Sequence, residues 1–178
     1  MNLGVISVRY ARALLKEAVI EHQEDVLYAE MQTLLHSYFT VHELKLAVDS
    51  PMLSNEEKQN LLELACGGKV CALTQKFIRL ILKKNRGELL QFMAASYVSI
   101  YRELKHITLS QLTTASPVDL ETEQKVKQLI ESYTHGEVEF SSKIDTDLIG
   151  GFILEYDSYR MDASVQTKLR KVLSALNG

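Results

Sequence analysis

The sequence of 178 residues predicts a mainly α protein. We expect an N-terminal antiparallel bundle of six helices at residues 1–106, followed by a small α/β domain at residues 107–178. Apolar residues recur about every 3.6 positions through the first part, which is typical of amphipathic helices that pack together. After His106 the pattern changes, and short segments of alternating apolar and polar residues, typical of strands, stand beside two further helical segments.

Six helical segments account for the first part, and the short connections between them favour antiparallel neighbours. The segments cover residues 7–22, 24–39, 42–48, 54–65, 70–85 and 88–105. Pro51 follows the third segment and prevents its continuation. Ser54 and Glu57 have the spacing of a capping box at the start of the fourth helix. Gly67 and Gly68 end that helix.

The second part is predicted to run strand, helix, strand, strand, short hairpin arm and helix. These segments cover residues 107–113, 121–133, 138–144, 149–156, 159–161 and the C-terminal stretch from position 165. We expect the apolar residues of the first of these helices to face inward: Val126, Leu129, Ile130 and Tyr133. Those of the last helix form a single stripe: Val165, Leu169, Val172, Leu173 and Leu176.

Charge and hydropathy exclude several classes of protein. The formal net charge is −3 with both signs interspersed, and the densest basic run is confined to residues 83–86. A nucleic-acid-binding domain normally shows a basic stripe, so we expect no nucleic-acid partner. No run of about 18 apolar residues occurs, so we expect no insertion into a membrane. The N-terminal residues lack the basic and apolar regions of a secretory signal, so the protein is expected to remain in the compartment where it is made.

Residue types that could carry catalysis or bind a metal are present without a suitable arrangement. None of the histidines stands in a recognisable catalytic motif, and we expect all of them at the surface or at helix ends: His22, His36, His42, His106 and His135. Cys66 and Cys71 lack the further ligands of a zinc site and are expected to be small buried apolar residues. Asp145 and Asp147 lack the glycine and the other oxygen ligands of a calcium loop, so a solvated turn is the better interpretation. The sequence predicts no catalytic site, cofactor or metal.

Paired glycines and a polar turn stand out in the second part. Gly150 and Gly151 do not belong to a phosphate-binding loop, because the Gly-x-x-x-x-Gly-Lys-Ser/Thr frame is missing. Glycines that open a strand usually permit a bulge or the close approach of another backbone segment. Asp162 and Ser164 precede the last helix, where either side chain can accept hydrogen bonds from the backbone N–H groups of the first turn.

The first and the fifth helices are apolar over well more than half of their circumference. A surface helix needs an apolar stripe only about 100° wide to pack on a core. The wider apolar surface indicates burial on a second side. Two interpretations remain open from the pattern: both helices are central in the bundle, or they leave between them an apolar groove that accepts an amphipathic helix of a partner.

Two stretches resemble a known family. Residues 9–14 read Arg-Tyr-Ala-Arg-Ala-Leu, and a C-terminal pattern comprises Ile144-Asp145, the segment 148–152 with its paired glycines, the segment 162–165, and Lys168-Leu169. Both are similar to motifs of the delta subunits of F-type ATP synthase, the family of the mitochondrial oligomycin-sensitivity-conferring protein. The resemblance covers essentially the whole chain. The chain departs from the family pattern at Ala163, where glycine is usual, and in the hairpin at residues 156–160, which lacks a glycine.

The resemblance implies a non-catalytic connector that ties the catalytic head of the enzyme to its peripheral stalk and resists the torque of rotation. The N-terminal bundle would bind the N-terminal helix of an alpha subunit in a groove between the first and the fifth helices. The residues expected to line it are Tyr10, Ala13, Leu14, Phe77, Leu80 and Ile81. The C-terminal domain would bind the C-terminal end of the b-subunit stalk through the last helix and the sheet edge. The implied location is peripheral, on the cytoplasmic face of a bacterial cell membrane.

Three alternatives from other classes remain. A free-standing helical adaptor for another partner would explain the bundle but not the C-terminal motif. A small enzyme would need a pocket with perturbed titratable residues, and the sequence offers no candidate pair. An RNA-binding module would need exposed aromatic residues beside basic ones on the sheet, which the acidic balance of the second part disfavours.

Overall fold

A computed structural model describes residues 3–134, 136–157 and 159–177, with the side chains of residues 3, 176 and 177 left aside. The chain divides into two compact units, residues 1–103 and residues 104–178. The predicted fold class is confirmed: six helices extend to Lys105, and a mixed four-stranded sheet with further helices follows. The expectations for His135, for Ser158 in the hairpin and for the side chain of Leu176 lie outside the described residues.

The first unit consists of helices. Their bounds are α1 Leu3–Ile20, α2 Glu24–Thr40, α3 His42–Asp49, α4 Asn55–Ala65, α5 Ala72–Lys83 and α6 Leu90–Lys105, with a short 3-10 helix at Gly87–Leu89. The predicted capping box is confirmed, because Ser54 Oγ accepts a hydrogen bond from the Glu57 backbone N–H and the Glu57 carboxylate accepts one from the Ser54 N–H. Gly67 adopts φ +111°, and the Gly68 N–H donates to the Glu63 carbonyl at 3.0 Å, which ends α4 as predicted.

Large side chains that face one another across the helices form the core of this unit. The largest fully buried apolar side chains are those of Tyr97, Leu27, Met31, Leu34, Leu62, Ile78, Ile81, Leu90 and Met93. Helices α2 and α6 are further joined by aromatic and polar contacts. The rings of Tyr28 and Tyr101 stack with their centroids 4.1 Å apart, and the Tyr101 hydroxyl donates to the Asp25 carboxylate at 2.6 Å. Such contacts hold the helices in fixed positions, since a stacked aromatic pair and a charge-assisted hydrogen bond both depend on geometry.

The second unit contains strands β1 Thr108–Thr114, β2 Val138–Ile144, β3 Phe152–Tyr156 and β4 Tyr159–Asp162, with α7 Leu120–Thr134 and α8 Val165–Asn177. The strand order is β2-β1-β3-β4. β1 pairs with β2 in parallel, through the crossover helix α7, and with β3 in antiparallel orientation. Leu112, Ile130, Val138 and Leu154 form the core between the sheet and α7.

The inward orientation expected for two residues of α7 is wrong. Leu129 and Tyr133 are 53% and 72% exposed, whereas Ile130 is buried. A single helix on a small sheet buries only a narrow stripe, so apolar residues at the margin of the stripe remain in water. On α8, three residues of the predicted stripe, Leu169, Val172 and Leu173, are exposed, and they are described below as a candidate surface. None of the described helices is both long and apolar enough to cross a membrane.

Candidate functional site

An open groove of about 470 Å³ runs between α1 and α5. Its lining residues are Arg9, Tyr10, Ala13 and Leu14 from α1, Leu73, Lys76, Phe77 and Leu80 from α5, and Arg86. Leu14 and Phe77 are buried and form its floor, whereas Leu80 is 44% exposed on its rim. An apolar floor that is open to solvent on one side has the shape that receives an apolar helix face.

The structure brings together five of the six residues expected to line this groove. Ile81 is the exception, because its side chain is completely buried and does not line the groove. Successive residues of an α-helix point in directions about 100° apart. Leu80 and Ile81 therefore face different surroundings, and only Leu80 is available to a partner. The periodicity of α5 alone does not distinguish its groove side from its core side.

Four lining residues were not predicted. Leu73 lies one helical turn before Phe77 on α5, so the 3.6-residue period could have identified it. Arg9 and Lys76 are exposed polar positions, and the apolar periodicity of their helices does not mark them as groove residues. Arg86 follows the end of α5, and only the fold brings it against Tyr10.

Contacts at both ends hold α5 in place beside the groove. At its N-terminus, the buried Glu30 carboxylate from α2 accepts a hydrogen bond from the Cys71 backbone N–H at 2.6 Å and another from the buried Thr74 hydroxyl. Beyond its C-terminus, the Arg86 guanidinium lies 5.4 Å from the centroid of the Tyr10 ring and donates a hydrogen bond to the Tyr10 hydroxyl. Cation–π and hydrogen-bonding contacts of this kind couple the two walls of the groove.

The two cysteines have different surroundings. Cys66 is buried as expected, and burial, followed by the charge of Glu30, raises the pKa of its thiol to about 12. The expectation for Cys71 is wrong, because this residue is only half-buried and is the N-cap of α5. Its sulfur accepts a hydrogen bond from the Thr74 N–H at 3.5 Å. A helix needs acceptors for its first N–H groups, and the thiol supplies one here.

The paired glycines of the second unit lie beneath the turn that leads into α8. Gly151 adopts φ +76°, and a Cβ atom there would lie 2.4 Å from the Ala163 carbonyl oxygen. Backbone hydrogen bonds of 2.9 Å join the Ala163 N–H to the Phe152 carbonyl and the Val165 N–H to the Gly150 carbonyl. The close approach leaves no room for a side chain at Gly151.

Asp162 and Ser164 form the cap of α8. The Ser164 hydroxyl and N–H donate to the Asp162 carboxylate at 2.6 and 3.0 Å, and the Thr167 N–H donates to Ser164 Oγ at 3.2 Å. These hydrogen bonds, with that from the Ser164 hydroxyl first, lower the pKa of Asp162 to about 2. Each polar group of this turn is engaged with its neighbours, so the geometry supports a structural role.

Two apolar surfaces of the second unit are open to solvent. On α8, the exposed stripe comprises Leu169, Val172 and Leu173, which are 50%, 57% and 60% exposed. A groove of about 520 Å³ lies between α7 and the loop at Gly150 and Gly151. Exposed apolar patches of this kind mark interaction sites in soluble proteins.

The titratable residues that the structure describes are not arranged as a catalytic or metal-binding site. Within residues 3–134, 136–157 and 159–177, no cluster of three or more His, Cys, Asp or Glu side chains is arranged to hold a metal ion. The Asp145 carboxylate accepts a hydrogen bond from the Asp147 N–H at 3.0 Å, as in a local turn. His22 and His106 adopt positive φ at or just beyond helix ends.

The family whose model matches the chain is described as the ATP synthase delta (OSCP) subunit, and the match covers residues 6–176. The chain belongs to the ATP synthase delta (OSCP) family. It is therefore a non-catalytic component of the peripheral stalk of F-type ATP synthase. This membership sets aside the interpretations as a free-standing adaptor, a small enzyme or an RNA-binding module.

Relatives in the delta family match over nearly their full length. The chain is 43% identical over 173 residues to the ATP synthase subunit delta of Phocaeicola vulgatus, covering 97% of this chain and 94% of the relative. It is 39% identical over 176 residues to that of Parabacteroides distasonis, covering 99% and 98%. A chain in the cryo-EM structure of the Toxoplasma gondii mitochondrial ATP synthase hexamer shares the fold, with a TM-score of 0.72, 22% identity and 97% coverage of each chain.

The backbone accommodates non-glycine residues at both departures from the delta-family pattern. In the hairpin between β3 and β4, Asp157 adopts φ +50° without being a glycine. Asp tolerates this conformation better than most residues, because its short side chain forms local hydrogen bonds. Ala163 contributes the backbone carbonyl that faces Gly151 and is compatible with the turn before α8.

Proposed function

We propose that this delta subunit joins the catalytic head to the peripheral stalk by binding the N-terminal helix of an alpha subunit in the α1–α5 groove. The observation that supports the proposal is the convergence of Tyr10, Ala13, Leu14, Phe77 and Leu80 on one open apolar groove. The α1 residues are distant in sequence from the α5 residues, and the family resemblance implies that both sets bind the alpha subunit.

The dimensions and chemistry of the groove suit a helix. An amphipathic helix presents apolar side chains at positions i, i+3, i+4 and i+7, which fit the floor provided by Leu14 and Phe77. Binding of the helix would remove water from Leu80, which is 44% exposed on the rim. Residues at the centre of such an interface commonly contribute about 2 kcal/mol or more each.

The second unit is proposed to bind the C-terminal end of the b-subunit stalk. The exposed stripe of Leu169, Val172 and Leu173 on α8 supports this assignment, since an unpartnered apolar helix face suits packing against another helix. With head and stalk held at separate units, the subunit resists the torque of the rotor mechanically. The complex would place it peripherally on the cytoplasmic face of a bacterial cell membrane.

Calorimetric titration of the full chain with a synthetic peptide of its own organism's alpha-subunit N-terminus tests the proposal. We expect one-to-one binding, and we expect Leu80→Asp and Tyr10→Asp to weaken it by at least about 2 kcal/mol, or roughly 30-fold in Kd. Leu46→Asp is the matched control, because Leu46 lies on α3 and is 65% exposed. If both groove variants bound the peptide as tightly as the control, the groove assignment would be wrong.

A further inference from the structure

We infer that the helix received by the α1–α5 groove carries carboxylates on both sides of its apolar stripe. The inference rests on the proposed function and adds to it the charge pattern of the partner. It follows from the charged residues that surround the apolar floor, which are all of one sign.

Cations stand on both walls of the groove. Arg9 lies on α1, Lys76 lies on α5, and Arg86 lies beside Tyr10. Neither Asp nor Glu belongs to the described lining. Among the described residues, no carboxylate forms an ion pair with either Arg9 or Lys76, although the chain as a whole is acidic at −3.

The three cations have different roles. Arg86 is half-buried and engaged with Tyr10, so it belongs to the wall of the groove. Arg9 and Lys76 are exposed and stand on opposite helices. A helix lying between those helices has one flank towards Arg9 and the other towards Lys76. Carboxylates on both flanks would meet a cation on each side, in the manner of the charged positions beside a coiled-coil seam.

Apolar neighbours make a helix a better occupant than a polyanion. Leu73, Phe77 and Leu80 line the space between the cations. A nucleic-acid strand or a phosphate group leaves such a floor without an apolar partner, whereas an amphipathic helix covers it. Rim charges of this type accelerate encounter more than they slow dissociation, because they act at long range and remain partly hydrated.

Stopped-flow association kinetics test the inference, with the full chain and a fluorescent alpha N-terminal peptide at about 20 mM and about 300 mM NaCl, where the screening lengths differ several-fold. Arg9→Glu and Lys76→Glu are compared with Lys45→Glu, an equal charge change at an exposed position on α3. We expect each groove variant to associate at least about fivefold more slowly than the control at low salt. The difference should shrink to less than about twofold at high salt, with little change in dissociation rate.

Leu80→Asp separates this inference from the proposed function. If it weakens binding while Arg9→Glu and Lys76→Glu associate like Lys45→Glu, the charge inference is overturned and the groove remains. If Leu80→Asp and Tyr10→Asp also bind like the wild type, the proposed function and the charge inference are both overturned. A peptide whose Asp and Glu residues are replaced by Asn and Gln should lose the salt dependence of association. Retained salt dependence would overturn the inference.

Discussion

Replacement of Gly151 by alanine should destabilise the second unit strongly, although the substitution adds only one methyl group. A Cβ atom would lie 2.4 Å from the Ala163 carbonyl oxygen and 3.0 Å from the Ser164 Cα, and both are backbone atoms. The positive φ of 76° costs an L-residue about 1–2 kcal/mol. To relieve the clash, the turn must move and weaken the two 2.9 Å backbone hydrogen bonds that join it to Phe152 and Gly150, each worth about 1 kcal/mol. We expect a total of about 3 kcal/mol.

Gly68→Ala is the matched control, because Gly68 has a similar φ of +84° but no atom within 4 Å of the position that a methyl group would occupy. It should cost only about 1 kcal/mol, the backbone contribution alone. Native-state hydrogen exchange of the full chain measures the two units separately, through amides of β1 and β3 and amides of α2 and α5. Equal effects of the two substitutions on their own units would refute the steric reasoning, and so would a Gly151→Ala protein with unchanged protection in the sheet.

Three further predictions concern polar and titratable groups. Glu30→Ala should destabilise the first unit by about 3 kcal/mol in urea unfolding, because it leaves the Cys71 N–H and the buried Thr74 hydroxyl without their acceptor, whereas exposed Glu21→Ala should have almost no effect. In a Cys71→Ser background, alkylation at about pH 8 should modify Cys66 only on unfolding, because burial raises the pKa of this thiol to about 12; rapid labelling of the folded chain would contradict this. The pKa of Asp162 is lowered to about 2 from 3.8. The stabilisation of the fold by the ionised Asp162 carboxylate should therefore be present above about pH 4 and lost as the pH falls to about 2. Acid titration of stability should show the stability difference from Asp162→Asn disappearing over that interval.

Local signals in the sequence predicted much of the fold. The capping box at Ser54 and Glu57 and the glycines after α4 act through residues a few positions apart, and such interactions can be read directly from the order of residues. The strand at residues 138–144 was predicted with the observed bounds, because its alternation is regular. The paired glycines indicated a close backbone approach, although the sequence did not identify the segment at Ala163 that approaches them.

Long-range contacts explain what could not be predicted. Glu30 caps α5 from a position 41 residues before Cys71, and no periodicity connects the two. Ile81 and Leu80 are both apolar neighbours on one helix, and only the packing of the other helices decides which one enters the core. Leu129 and Tyr133 remain exposed because the small sheet beneath α7 is too narrow to cover them.

Methyl NMR of the full chain during titration with the alpha N-terminal peptide tests the central claim most directly. Binding in the groove predicts the largest shift changes at the methyl groups of Ala13, Leu14, Leu73 and Leu80, which line it. The methyl groups of Leu169 on α8 should remain unchanged and serve as the internal reference. Shift changes concentrated on α8 or around Leu112 and Leu154, with the groove methyl groups unaffected, would contradict the account.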